Sequence, residues 1–246
     1  LSADVAKQPH YLFKPKASYR MAQETLRGTA ALRTQGENHP NGVVFHFYVK
    51  DWTDTAKAQL DLFELGGELI RSFSNTSKDR RTMLQVKKGG NRFVWDMRYP
   101  GFKDFPGMVL YSSPNTGPKA VPGTYKARLT INGQSVEQTF EILKDPRLPN
   151  TASDYEDQLD FLLQVRDRVS EAHQAITDIR AVKKDINYLK EKAGEAAPYQ
   201  ELIRQANELE KELSKIEGQI HQVKNQSQQD PINYGIKVNN RLAFLL

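Results

Sequence analysis

Between residues 144 and 150, at KDPRLPN, the hydrophobic period of this chain changes from two to about three and a half. Before that point apolar side chains alternate along short runs; after it they step by three and four. A strand shows every second residue to one face, whereas a helix shows every third or fourth, so the two halves cannot share one kind of layer. The chain is therefore expected to be α+β with two segregated domains, an all-β sandwich followed by helices. Its 246 residues suffice for two modest cores.

The β half begins at Asn41. VVFHFYV (43–49) sets Val43, Phe45, Phe47 and Val49 on one face and His46 on the other. AQLDLFEL (58–65) and ELIRSFS (68–74) flank the Gly66-Gly67 turn, and NRFVWDM (91–97) makes a fourth strand. GTYKARLTI (123–131) and SVEQTFEIL (135–143) meet at Asn132-Gly133, the strongest hairpin signal here, because a type I′ turn needs positive φ at both central residues. Six short strands with no helical period between them predict a sandwich of immunoglobulin or fibronectin-like type over 41–147. Trp95 and Tyr125 take inward registers, where large rings fill the space between sheets; a sugar-stacking role is the alternative reading of Trp95. Residues 1–40 show no sustained period, are broken by Pro9, Pro15 and Pro40, and read as an extended connector.

The helical half covers 148–246. Thr151 or Ser153 caps a helix whose apolar positions run from Leu162 to Ala193, ended by Gly194 and restarted at Pro198. Leu202, Ala206, Leu209, Leu213, Ile216, Ile220 and Val223 then step 4-3-4-3-4-3. Two such helices on a short connection predict a long antiparallel, coiled-coil-like hairpin, with a third helix starting after Asp230-Pro231. The chain stops inside an apolar helical pattern, NNRLAFLL, where Leu242, Leu245 and Leu246 have nothing evident to pack on, and is expected to be a piece of a longer protein.

Composition removes several kinds of chemistry. With no cysteine there is no disulfide, zinc-thiolate site or cysteine nucleophile. No apolar run approaches the length of a membrane-spanning helix. The net charge of +5 is uneven: residues 1–150 hold 22 Lys and Arg against 14 Asp and Glu, residues 151–229 hold 11 against 15. The basic residues are scattered rather than gathered on a recognisable platform, which argues against nucleic acid. His10, His39, His46, His173 and His221 have no partner at metal-ligand spacing, so neither a metal nor a cofactor is expected; His173 and His221 read as surface or seam positions of the hairpin. Of the carboxylates that loops could bring together, Asp51 with Asp54 and Asp96 with Asp104, neither pair has more than sequence proximity behind it, and no catalytic residue is assigned. The Pro/Gly-rich loop 98–122 carries Tyr99, Phe102, Phe105 and Tyr111, which could stack on sugar rings or else fold over the open end of the sandwich.

NRFVWDMRYPG, PGTYKARLTINGQSVEQTFEILKDPR and QVRDRVSEAHQAI, in that order, resemble the C-terminal region of bacterial sortilin-like β-propeller proteins with BNR repeats, often labelled glycosyl hydrolases. The W-D strand followed by P-G-T-Y is also similar to the Ig-like domain of flagellar hook-capping proteins. The resemblance spans about Leu12 to Leu246. It implies export to the periplasm or cell surface and a non-catalytic structural module that braces the propeller and makes protein contacts, with the propeller or with another copy through the hairpin. The alternative it implies is a carbohydrate-binding accessory region of a glycosyl hydrolase. The family's Asp-box repeats do not occur in this chain, so none of its sugar chemistry falls on a residue here.

Overall fold

Alternation is answered by strands wherever the period of two holds. The computed structural model describes residues 2–21, 40–194 and 197–246; His39 lies outside them. The described residues form two compact units, one within Leu1–Pro100 and Lys119–Leu159, the other Gly101–Pro118 with Asp160–Leu246. The first holds a short helix α1 (Ala3–Lys7) and strands β1 (His10–Leu12), β2 (Ser18–Arg20), β3 (Val43–Val49), β4 (Ala58–Glu64), β5 (Leu69–Ser74), β6 (Gly89–Trp95), β7 (Gly123–Ile131) and β8 (Gln134–Lys144). They make a three-stranded sheet in the order β1-β3-β6 and a five-stranded sheet in the order β2-β8-β7-β4-β5. All six strands read from the alternation are present as β3 to β8.

The connector expected over residues 1–40 is in part sheet. His10–Leu12 pairs antiparallel with β3, and Ser18–Arg20 adds to β8 in parallel. Three-residue strands are too short for a period to show, and the pairing is driven by burial of Leu12, which is 1% exposed. Pro15 lies between the two strands, where the chain leaves one sheet for the other and no ladder donor is needed.

The buried faces of the two sheets meet through rings. Phe45 of β3 stands edge-on to Phe140 of β8 at 5.2 Å between centroids, and Trp95 of β6 lies 6.1 Å from Phe140 and 6.3 Å from Tyr125. Trp95 is fully enclosed, and its indole N–H donates to the Arg98 carbonyl at 3.0 Å. It is therefore a core residue, with no ring face left for a sugar. Burying each such ring is worth roughly 1.5–3 kcal/mol or more. Asn132 and Gly133 have φ of 48° and 85°, the positive pair that the β7–β8 hairpin requires.

In the second unit lies most of α2 (Ala152–Ala193), whose residues to Leu159 belong to the first unit, together with α3 (Gln200–Ile220) and α4 (Val238–Ala243). Thr151 caps α2: its hydroxyl accepts from the Asp154 N–H, and the Asp154 carboxylate accepts from the Thr151 N–H at 2.6 Å. Gly194, at φ 57°, ends it. Ion pairs from Lys190 to Glu210 and from Lys183 and Arg180 to Glu217 step in opposite senses along α2 and α3, so the two run antiparallel. The second helix stops at Ile220, before the last apolar step at Val223.

The loop residues 101–118 belong to the helical unit. Phe102 and Leu110 bury against Val165 and Val169 of α2 and Ala243 of α4, and Leu242 and Leu246 pack on the same cluster. Those two leucines thus do find a surface, while Leu245 remains half exposed.

Candidate functional site

The four loop aromatics do not form one platform. Tyr99 is buried in the first unit and its hydroxyl donates to Glu64 at 2.5 Å; burial, and then that carboxylate, push its pKa upward. Phe102 and Phe105 are 3% and 4% exposed inside the helical unit. Only Tyr111 stays open, at 43%, edge-on to Phe244 at 6.5 Å. Rings enclosed on both faces cannot stack on a ligand, so the predicted set reduces to Tyr111 alone. Burial explains the other three: Tyr99 is enclosed within the first unit, and Phe102 and Phe105, on the loop that belongs to the helical unit, gain more from burial than from exposure.

What the loop buries is a polar chain. Phe105 sits edge-on to His173 and His221, each at 4.9 Å, and Phe102 to His173 at 5.3 Å. His173 Nδ1 is 2.6 Å from the Lys103 carbonyl, which can only accept, so the proton is on Nδ1 and Nε2 is an acceptor. The Asn239 amide nitrogen lies 3.2 Å from that Nε2 and 3.3 Å from His221 Nδ1, and its two hydrogens serve both. Asn239 Oδ1 accepts from the Asn240 N–H at 2.8 Å, and the Asn240 side chain in turn accepts from the Tyr111 N–H through Oδ1 and donates to the Tyr111 carbonyl through Nδ2. His173, His221 and Asn239 are at most 2% exposed. Burial holds both imidazoles below their ordinary value, His221 at about 4, where the charges of Arg180 and His173 add to the effect. Neutral, hydrogen-bonded histidines enclosed in this way fix loop 101–118 and the C-terminal helix onto α2.

Glu217 is the buried charge of the helix pair. Arg180 Nε donates to it at 2.7 Å and Lys183 at 3.2 Å, and its carboxyl is held below the usual range: these cations outweigh the upward push of burial, the largest single influence. Arg180 also lies over the Phe105 ring at 5.0 Å and donates to the Pro106 carbonyl.

These ion pairs mark one side of the α2–α3 seam. The other side is apolar and open. Counting about 100° per residue from Ile186, Lys183 and Lys190 lie on one flank and Val182 and Leu189 on the other. On α3, Glu210 and Glu217 lie on the first flank and Leu202, Leu209 and Ile216 on the second. In an antiparallel pair, matching flanks share a face. Val182, Leu189, Leu202, Leu209 and Ile216 are each 41–49% exposed, in a row spaced by sevens along each helix.

No family model and no curated protein matches this chain. The site is thus described by its own chemistry. Among the described residues, no three His, Asp or Glu side chains gather as a metal would require, and no helix is long and apolar enough to cross a membrane. Three of the four carboxylates named above have other engagements: Asp51 pairs with Lys88, Asp96 with Arg71, and Asp104 accepts from Asn115; Asp54 is exposed. The buried histidines were not legible as a pair, since 48 residues separate them and Asn239, the residue joining them, lies in the last turns of the chain.

Proposed function

We propose that this chain is a structural and interaction module whose helix pair makes protein contacts through the row Val182, Leu189, Leu202, Leu209 and Ile216. That exposed row is the observation that carries the reading. Five half-exposed aliphatic side chains in register at heptad spacing are an ordered apolar stripe, and the largest apolar patch on a protein surface is often a contact surface. A helix pair with one ion-paired face and one apolar face is suited to accept a further helix, from another copy or from elsewhere in a longer parent chain.

The β unit is read as an Ig-like sandwich. Support comes from the Tyr125 hydroxyl, which donates to the Val121 carbonyl at 2.7 Å, four residues upstream near the start of β7, in the manner of a tyrosine corner. Membership in the C-terminal region of an exported sortilin-like propeller protein rests on the sequence resemblance of the W-D and P-G-T-Y strands and the helices that follow.

Sedimentation velocity and pull-down with the parent protein's remaining portion test the contact. Concentration-dependent association, or binding to that portion, abolished by Leu209→Lys with Ile216→Lys, is the expected result. A clean monomer that binds neither would overturn it.

A further inference from the structure

The outer face of the three-stranded sheet carries a second feature, unrelated to the helix pair. His46 of β3 stands directly opposite Arg92 of β6. On one side of this pair is a cleft of about 510 Å³, bounded by Lys14 and Lys16 on the segment that crosses between sheets. On the other is a cleft of about 660 Å³ reaching Lys87, with Gln85 on its wall. His46 and Arg92 line both, so the two form one groove across the sheet.

No Asp or Glu among the described residues lines either cleft. Among the described residues the side chains of Lys14, Lys16, Lys87 and Arg92 have no ion pair or hydrogen bond, whereas several other cations of this unit have a carboxylate partner: Arg81 with Asp79, Arg128 with Glu137, Arg147 with Asp145, Lys88 with Asp51. Unmatched like charges facing one concavity repel, and an anionic ligand relieves that repulsion. Cations stand at both ends and in the middle, so the fitting ligand is extended and carries negative groups at intervals. The wall adds the exposed side-chain amide of Gln85 and the half-buried Val44, which suit hydroxyls and a ring face. It does not add the series of exposed aromatic rings that single-stranded nucleic acid uses.

We propose that this groove binds a linear acidic glycan, its sulfate or carboxylate groups contacting Lys14, Lys16, Arg92 and Lys87. Binding is measured with a sulfated heparin oligosaccharide and an oligouronate, beside a neutral oligosaccharide of equal length, a single-stranded oligonucleotide and inorganic sulfate. The expected result is binding of one or both acidic glycans, weakening as salt rises, and roughly tenfold weaker in Lys16→Glu/Arg92→Glu. Lys57→Glu, an exposed lysine outside the groove, should bind as the parent does. Far-ultraviolet circular dichroism confirms that the variants are folded. The proposal fails if neither acidic glycan binds, if Lys57→Glu weakens binding as much as the groove variant, if the neutral sugar binds equally, or if the oligonucleotide binds more tightly.

Discussion

The amide nitrogen of Asn239 lies 3.2 Å from Nε2 of His173, although 66 residues separate them in the chain. The contact requires that nitrogen of the imidazole to be unprotonated, and the same holds for His221 Nδ1, which takes the other amide hydrogen. Protonating either ring would set two N–H groups against each other inside the helical unit.

Stability should therefore depend on pH. The unfolded chain protonates His221 near 6.5, the folded chain only near 4. The contribution of His221 is complete above about pH 6.5 and is lost as pH falls toward 4, by at most about 1.4 kcal/mol per pH unit. His173, also lowered, acts in the same direction, as does buried His10 in the first unit; Glu217 adds to the loss below its ordinary 4.5. Urea denaturation between pH 7.5 and 4.5 measures the slope. His221→Asn keeps an acceptor toward Asn239 without a titrating group and should make the slope shallower; an unchanged slope would show that His221 is not a source of it.

Asn239→Leu should cost about 2–4 kcal/mol, since it strands two buried imidazole acceptors and the Asn240 N–H. Heteronuclear spectra should show the losses at 101–118 and 238–246 ahead of the β unit. A melting temperature equal to the parent's would refute the role given to this side chain.

Glu217→Gln leaves Arg180 and Lys183 facing a neutral amide. Their side chains are 36% and 25% exposed, so water takes up part of the deficit and a loss of about 1–3 kcal/mol is expected, below that of a fully buried pair. A double-mutant cycle with Arg180→Gln measures the coupling, and a coupling near zero would contradict it.

A β-carbon on Gly42 would sit 2.3 Å from the Trp95 carbonyl oxygen. Gly42→Ala must push the start of β3 off the end of β6, costing on the order of 1–3 kcal/mol or more. Faster amide exchange at Val43 and Trp95 is the diagnostic; normal protection there would mean that the methyl is accommodated without parting the strands.

Much of the β unit could be read from the sequence because its information is local. Period-two runs specify β3 to β8, and the Asn132-Gly133 pair specifies its own turn. Thr151 with Asp154 marks the start of α2 for the same reason. The strands β1 and β2 were hidden, since three residues carry no period and only pairing with β3 and β8 defines them. The open row on α2 and α3 sits in the heptad pattern, but which flank stays uncovered depends on where the ion pairs form.

By itself the sequence determined where periodic elements begin and end, and that the chain divides into sheet and helix, because backbone hydrogen bonding and side-chain direction repeat over a few residues. Tertiary structure alone decided that Phe102 and Phe105 enclose His173 and His221, that Asn239 joins the two rings, and that Arg92 gathers lysines from distant segments into one groove. Those outcomes depend on which surfaces are removed from water together, a property of the folded chain as a whole and not of any short stretch of it.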